Sequence, residues 1–360
     1  MTEAEALQQL AARELASLPR GIGEIHRAIS GRVFCALGPT AAPVRVMHDT
    51  IARGVYASVS AALRATALVP ISDAELSETR RGAMALAALN GLLGDKLDEP
   101  LAIPMAVRRV GTPATPRLAV FLHGLGETEY AWGSPSYGEQ LHEDLGITPV
   151  FIRFNTGRHI SENGAALAAL LDEVVDAWPV EVEQIALIGH SMGGLVARSA
   201  CHRGGDWTAL VRHTVSLGTP HAGAPLEQAV HAMSAALHVV PETRPFARFL
   251  RRRSAGIRDL RRGSLVDEDW RDQAPDALRS KACAEIPLLE GATHCFVAAT
   301  VTRSPSHPVG RLLGDTLVLS PSASGRRIGF EEANGLALGG THHLALLNHP
   351  EVYDRLRAWL

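Results

Sequence analysis

A serine flanked by glycines is the residue of this sequence with the clearest capacity for chemistry. Residues 189–193 read Gly-His-Ser-Met-Gly, directly after the apolar run Gln184–Ile188 and before the helix-compatible stretch Leu195–Ala200. A buried strand that turns sharply into a helix presents the central serine at the end of a sheet, and the turn leaves no room for side chains at the glycine positions. The pattern therefore predicts that Ser191 is a nucleophile at a helix N-terminus, where free N–H groups can stabilise an oxyanion.

A nucleophilic serine needs a carboxylate, which follows it in the chain when the serine lies on a turn of this kind. Asp315 is the acid candidate, because it follows the predicted strand Phe296–Val301 by a loop. Three other carboxylates are weaker candidates, because they lie in or beside a predicted insertion. They are Asp267, Asp269 and Glu290.

A serine hydroxyl also needs an imidazole to take its proton, and this base comes last in the chain order serine, acid, histidine. His343 is the base candidate, in a predicted loop between the glycine-rich segment Gly335–Gly340 and the predicted terminal helix Pro350–Leu360. The adjacent His342 has the same chemistry, and the residue types alone do not decide between the two.

An oxyanion formed at the serine needs two N–H donors. The residue after the nucleophile, Met192, supplies one. The segment His123-Gly124-Leu125-Gly126 directly follows the predicted strand Leu118–Leu122, and its glycines allow the backbone to approach a substrate closely. We therefore expect the Leu125 N–H to be the second donor.

Three further residues are candidates for substrate contacts. His123 opens the glycine-rich loop, and Thr219 and His221 follow the predicted strand His213–Leu217. Their places at strand ends would put them near the rim of the same site. An ordinary structural loop explains Thr219 and His221 equally well.

The sequence pattern of the elements that must position these residues changes near residue 100. Residues 1–100 have helical spacing and are predicted to form a helical N-terminal extension. Residues 101–360 alternate strands and helices, which indicates an α/β fold with a mainly parallel central sheet and helices on both faces. The predicted elements are helices at Glu3–Leu18, Val46–Leu68, Arg80–Leu93 and Asn163–Trp178, and strands at Leu101–Val110, Leu118–Leu122, Pro149–Phe154, Ile185–Ile188, His213–Leu217 and His294–Val301.

Residues 224–290 interrupt this alternation and are predicted to form a helical lid or cap insertion. The insertion carries the arginine-rich run Arg248–Arg253. A peripheral contact with a membrane surface or an anionic head group is one interpretation of these arginines. Solvated arginines, or arginines paired with nearby carboxylates, are the other.

The overall composition excludes several classes of function. A formal net charge of −3 over 360 residues gives no electrostatic basis for binding nucleic acid. The acidic N-terminus lacks the pattern of a secretory signal, and no apolar run has the length of a membrane span, so the sequence predicts a cytoplasmic location. The four cysteines are widely spaced and are expected to be free thiols. No motif calls for a metal ion or an organic cofactor.

Five motifs in order resemble the α/β-hydrolase superfamily, and within it the branch of bacterial triacylglycerol lipases and GPI inositol-deacylase-like esterases. The resemblance covers roughly residues 101–360. The motifs are Val-Phe-Leu-His-Gly-Leu-Gly at 120–126, Gly-His-Ser-Met-Gly-Gly-Leu-Val-Ala-Arg at 189–198, Leu-Gly-Thr-Pro-His-Ala-Gly at 217–223, Gly-Asp-Thr-Leu-Val at 314–318 and His-Leu-Ala-Leu-Leu at 343–347.

The resemblance implies a serine carboxylic-ester hydrolase that acts on a small-molecule or lipid ester through Ser191, His343 and Asp315. In these lipases the base is a histidine followed by leucine, which favours His343 over His342. Two alternatives remain: an acyltransferase that uses the same triad, and a catalytically silent scaffold used for binding.

Overall fold

The computed structural model describes residues 1–15, 75–223, 253–273, 282–305, 307, 314–315, 317–325 and 328–360. The predicted helix at Val46–Leu68 and the arginines at 248–252 lie outside these ranges. So do residues 224–252 and 274–281 of the predicted lid, and the lid remains a prediction.

The chain divides into two compact units. The first comprises residues 1–82, 98–101 and 230–253, and the second comprises residues 83–97, 102–229 and 254–360. In the first unit a helix runs over Glu3–Leu15, so the predicted N-terminal helix is present as far as it is described. The carboxylate of Glu3 accepts a hydrogen bond of 2.8 Å from the Ser77 N–H, which ties this helix to the residues just before position 80.

One twisted sheet forms the centre of the second unit. Within the described ranges it has seven strands in the order β1-β3-β2-β4-β5-β6-β7, in which β1 is antiparallel to β3 and every other pair is parallel. The strands are β1 Ala106–Val110, β2 Arg117–Leu122, β3 Thr148–Arg153, β4 Gln184–His190, β5 Val211–Leu217, β6 Thr293–Thr300 and β7 Gly335–Gly339. The mainly parallel sheet predicted from the sequence is confirmed.

Helices cover both faces of this sheet, because the buried strands are apolar on both sides. On β2, Leu118, Val120 and Leu122 pack with the helices Ile160–Asp176 and Met192–Arg203. On the opposite face, Ala119 and Phe121 pack with the helices Tyr137–Leu145 and Pro350–Trp359. Further α-helices of the described ranges are Arg80–Leu93, Ala255–Leu260 and Ser320–Ala323.

This architecture is the α/β-hydrolase fold. Its parallel strands end at one common edge, where β4 leads into the helix Met192–Arg203. In the described ranges no helix is both long and apolar enough to cross a lipid bilayer.

Two sequence expectations about strands need correction. The strand expected from Leu101 begins only at Ala106, because Pro104 has no N–H to offer to the ladder and the first pairing is Ala106 with Arg153. The glycine-rich segment before His343, to which the sequence pattern assigned no strand, forms the strand β7. Pairing with β6 sets its conformation, and Gly335 allows the backbone to lie against the Phe296 ring, which leaves no space for a Cβ atom.

The helix Tyr137–Leu145 is absent from the elements predicted from the sequence. A capping box begins it: the Ser136 side chain accepts from the Glu139 N–H, and the Glu139 carboxylate accepts from the Ser136 N–H. Gly146, with a φ of 64°, ends it in the left-handed conformation. The sequence pattern Ser-x-x-Glu, followed later by a glycine, is typical of the start and the end of a helix and could have predicted this one.

Candidate active site

The turn between β4 and the next helix holds Ser191 in a strained conformation. Its φ of 53° and ψ of −119° lie outside the regions that side chains favour, and among the described residues it is the single non-glycine residue with a positive φ. A Cβ atom on Gly193 would overlap the carbonyl oxygen of Leu122, and one on Gly189 would overlap the amide of Gly194. The Gly-x-Ser-x-Gly pattern is therefore the local sequence that this sharp turn requires.

Asp315 and His343 form a buried pair. The Nδ1 atom of His343 lies 2.7 Å from the Asp315 carboxylate, and the residues are 3% and 0% exposed. The other carboxylate oxygen accepts from the N–H groups of Leu317 and Val318, at 3.0 and 2.8 Å. Because the carboxylate can only accept, the paired imidazole nitrogen is the donor, and the proton lies on Nδ1.

The second nitrogen of this histidine is thereby left as an acceptor. The Nε2 atom of His343 is buried and makes no hydrogen bond within the described part of the chain. A neutral imidazole held in this tautomer presents a lone pair that can take a proton.

Ser191 follows β4 and His343 follows β7, so both lie at the edge where the parallel strands end. The Ser191 N–H donates to the Leu217 carbonyl at 2.8 Å. The next residue, Gly218, has a φ of 60°, and a Cβ atom on it would lie 3.0 Å from the Cε1 atom of His343. The ring of His190, the neighbour of Ser191, lies 4.8 Å from that of His343. The serine turn and the histidine are thus in contact through their immediate neighbours.

The other acid and base candidates are placed elsewhere. His342 is exposed, whereas His343 points inward. Asp269 accepts from the Ala284 N–H at 2.7 Å, and Asp267 accepts from the Ser161 hydroxyl at 2.7 Å, so both carboxylates hold local structure. Glu290 is exposed.

The two predicted oxyanion donors lie on either side of the serine turn. Met192 is the first residue of its helix, so its N–H has no acceptor within the helix. A Cβ atom on Gly124 would lie 3.1 Å from the Ser191 Cβ atom, which places the loop that contains Leu125 beside the serine. Within the described ranges neither the Leu125 nor the Met192 amide donates a hydrogen bond.

His123 is fully buried below this loop. Its ring stacks on Phe154 at 4.3 Å, its Nδ1 atom lies 3.0 Å from the Gly124 carbonyl, and its Nε2 atom accepts from the Phe154 N–H at 3.3 Å. Burial lowers the pKa of His123, consistent with a neutral ring. Both nitrogens are engaged with backbone, and a contact of His123 with a substrate remains a prediction.

Thr219 and His221 are buried behind the turn rather than at an open rim. Thr219 packs against Gly194, where any Cβ atom would overlap its hydroxyl. Burial and the nearby Arg198 guanidinium hold the pKa of His221 well below its usual range, and its ring lies 5.0 Å from that of Phe330. Their role in substrate binding remains a prediction.

A glutamate and a histidine of this site were not found by sequence reasoning. The Glu127 carboxylate lies 3.1 Å from the Nδ1 atom of His190 and accepts from the Gly124 N–H at 2.7 Å. Burial alone would raise the pKa of Glu127, but the His190 charge and these hydrogen bonds outweigh burial and lower it to about 2. Burial alone would lower the pKa of His190, but Glu127 outweighs burial and raises it. Only their closeness in the folded chain reveals the pair.

The ion pair of Glu127 and His190 predicts a pH dependence of stability. A carboxyl whose pKa falls from 4.5 to about 2 on folding stabilises the fold above pH 4.5 and loses this contribution as the pH falls towards 2. A histidine whose pKa rises above 6.5 stabilises it below pH 6.5 and loses this contribution as the pH rises through the folded value. We therefore expect Glu127→Gln to lower Tm most between pH 4.5 and 6.5.

The measurement is the melting temperature of wild type and Glu127→Gln across this pH range. Glu183→Gln, the same change at an exposed position just before β4, is the control and should not alter Tm at any pH. The difference in Tm between wild type and Glu127→Gln should change with pH over the range of about pH 3 to 8. A difference that stays constant over this range would contradict the expected titration of the pair.

One family model matches part of the sequence. Residues 152–271, a third of the 360-residue chain, match the family model of the PGAP1-like alpha/beta domain. No curated protein matches the sequence.

Three similar solved structures are a lipase, a carboxyl esterase and an esterase. The mature lipase BlEst2 of Bacillus licheniformis is 22% identical, with a TM-score of 0.44 over 70% of this chain and 95% of that one. The metagenomic carboxyl esterase MGS0156 is 15% identical, with a TM-score of 0.42 over 70% and 78%. A thermophilic esterase from Thermogutta terrifontis is 16% identical, with a TM-score of 0.40 over 74% and 96%.

The sheet order, the strained serine between β4 and its helix, and the family-model match agree with one another. They confirm the resemblance seen in the sequence at the level of the superfamily. The chain has the α/β-hydrolase fold, and its residues 152–271 match the PGAP1-like alpha/beta domain.

Proposed function

We propose that this protein is a serine carboxylic-ester hydrolase, with Ser191 as nucleophile, His343 as base and Asp315 as the acid that orients the base. The observation that carries the proposal is the buried pair of Asp315 and His343, 2.7 Å apart, whose free ring nitrogen lies at the same sheet edge as the strained serine. An aspartate–histidine pair has a nucleophile to activate only where a hydroxyl or thiol group lies nearby, as Ser191 does here.

Acylation begins when the Ser191 hydroxyl oxygen attacks the ester carbonyl carbon. The hydroxyl proton passes to Nε2 of His343, and the carbonyl π electrons move onto the carbonyl oxygen. The N–H groups of Leu125 and Met192 stabilise the resulting oxyanion. When the tetrahedral intermediate collapses, the bond to the alcohol breaks and the imidazolium returns its proton to the leaving alkoxide.

Deacylation repeats these steps with water. Water attacks the acyl carbon and gives its proton to Nε2, and the acid product leaves as Ser191 recovers its proton from the imidazolium. The Asp315 carboxylate keeps the proton on Nδ1 and stabilises the imidazolium in both halves of the reaction. These residues are sufficient for the chemistry without a metal or an organic cofactor.

The test combines an activity-based probe with a panel of esters. A fluorophosphonate should label the wild-type protein covalently, and p-nitrophenyl esters of increasing acyl length should be hydrolysed. Absence of both labelling and hydrolysis would favour a binding scaffold over an enzyme. Products analysed with added alcohol or glycerolipid would distinguish hydrolysis from acyl transfer, because transfer would yield a new ester instead of the free acid.

A further inference from the structure

Three consecutive backbone N–H groups of the loop beside Ser191 differ in their hydrogen bonding. The Gly124 N–H donates to the Glu127 carboxylate at 2.7 Å, and the Gly126 N–H donates to the Thr156 hydroxyl at 3.0 Å. The Leu125 amide between them donates no hydrogen bond within the described ranges. Hydrogen bonds therefore anchor the loop on both sides of the Leu125 amide, the N–H group of this loop that the proposed mechanism requires to be free.

The anchor at Gly124 also reaches the serine turn. A single oxygen of Glu127 accepts from Gly124 and lies 3.1 Å from the Nδ1 atom of His190, which directly precedes Ser191. The carboxylate thus joins the two segments that carry the two oxyanion donors. We therefore expect a change at this carboxylate to alter the separation of the Leu125 and Met192 amides, because Leu125 follows Gly124 and Met192 lies two residues after His190.

Both ring nitrogens of His190 face hydrogen-bond acceptors. Its Nδ1 atom faces the Glu127 carboxylate and its Nε2 atom faces the His343 carbonyl at 3.4 Å, and both of these groups can only accept. A neutral imidazole has one N–H and would satisfy one of the two. The charged groups around this ring are the Glu127 and Asp315 carboxylates, and His343 lies against it at 4.8 Å.

We propose that Glu127 is a positioning residue of the oxyanion site: it holds the backbone N–H of Gly124, the residue before Leu125, against the serine turn and supplies the counter-charge for a His190 imidazolium. This inference rests on the proposed function for its catalytic consequence. The carboxylate touches neither the reacting atoms nor the ester, so its effect reaches the reaction through the Leu125 amide.

The kinetic test compares Glu127→Ala with Glu127→Gln. Alanine removes the acceptor of Gly124, and we expect kcat for p-nitrophenyl esters to fall about 100-fold while KM changes less than about threefold, because an oxyanion donor acts in the transition state. Glutamine keeps an acceptor oxygen for Gly124, so the loss should shrink to less than about tenfold. Glu183→Ala, at an exposed position remote from the site, is the matched control and should leave both constants unchanged.

A transition-state analogue separates positioning from general destabilisation. A trifluoromethyl ketone forms a hemiketal whose oxyanion occupies the same site as that of the substrate. We expect its Ki to rise by about the same factor as kcat falls in Glu127→Ala, with Ki unaffected in Glu183→Ala. The inference would be overturned if kcat, KM and Ki of Glu127→Ala stayed within about twofold of the wild-type values. It would also be overturned if Glu127→Ala had a lower Tm than wild type but an unchanged ratio of Ki to KM.

Amide hydrogen exchange tests the anchoring in the wild-type protein without any substrate. The amides of Gly124 and Gly126 should exchange at least about 100-fold more slowly than that of Leu125, because only the outer two are hydrogen-bonded. Equal exchange at all three positions overturns the inference whether or not esters are hydrolysed. Slow exchange at Gly124 together with no esterase activity would support the anchor and reject the proposed function.

Discussion

Replacing Ser191 with alanine is expected to lower kcat for ester hydrolysis about a millionfold, to the level left by the oxyanion donors and substrate binding alone. The loss is this large because the nucleophile and its base act as one unit, so that removing the hydroxyl leaves His343 with no proton to accept. The measurement is turnover of p-nitrophenyl esters by the purified variant, together with labelling by a fluorophosphonate, which should be abolished.

The control for Ser191→Ala is Ser134→Ala, which removes the same hydroxyl from an exposed loop position. This control should retain wild-type turnover and labelling. Both variants should melt close to the wild-type temperature, which separates loss of chemistry from loss of fold. Normal turnover by Ser191→Ala would show that another group carries the reaction, and the proposed mechanism would be wrong.

Replacing Asp315 with asparagine is expected to lower kcat about 10⁴-fold, because it reverses the tautomer of His343. One oxygen of Asp315 accepts from the Leu317 and Val318 N–H groups, and the other faces His343. An asparagine oxygen must keep the two backbone bonds, so its NH₂ group would face the histidine. The imidazole would then accept on Nδ1 and carry its proton on Nε2, where it cannot take the proton of Ser191.

The measurement for Asp315→Asn is kcat together with the ¹⁵N shifts of the His343 ring, which report the tautomer directly. Asp206→Asn, at an exposed position beyond the helix that follows Ser191, is the control and should alter neither. A ring that keeps its proton on Nδ1, or activity within about tenfold of wild type, would show that Asp315 does not orient the base.

The predictions from sequence succeeded where the signal was local. The turn at Ser191 was predictable because steric exclusion at Gly189 and Gly193 leaves few other residues that fit. The alternation of continuous apolar runs with helical spacing was enough for a parallel sheet covered on both faces. These features depend on residues close together in the chain, and short-range sterics and burial are what a sequence pattern records.

The β7 strand shows what such patterns miss. Gly335–Gly339 has the composition of a loop, and it becomes a strand because the exposed edge of β6 offers unpaired backbone groups to it. Strand propensity is set largely by the neighbouring strand and side-chain packing, so tertiary context overrides composition here.

The sequence by itself determined the chemical types at this edge of the sheet, a serine on a sharp turn followed in the chain by an acid and a histidine, and the class of fold that carries them. Only the tertiary structure decided that His343 rather than His342 turns inward to Asp315, and that Glu127 pairs with His190. The physical reason is that these contacts join residues between 28 and 63 positions apart in the chain. Their energy arises from burial and charge that exist only once the strands have brought the loops together.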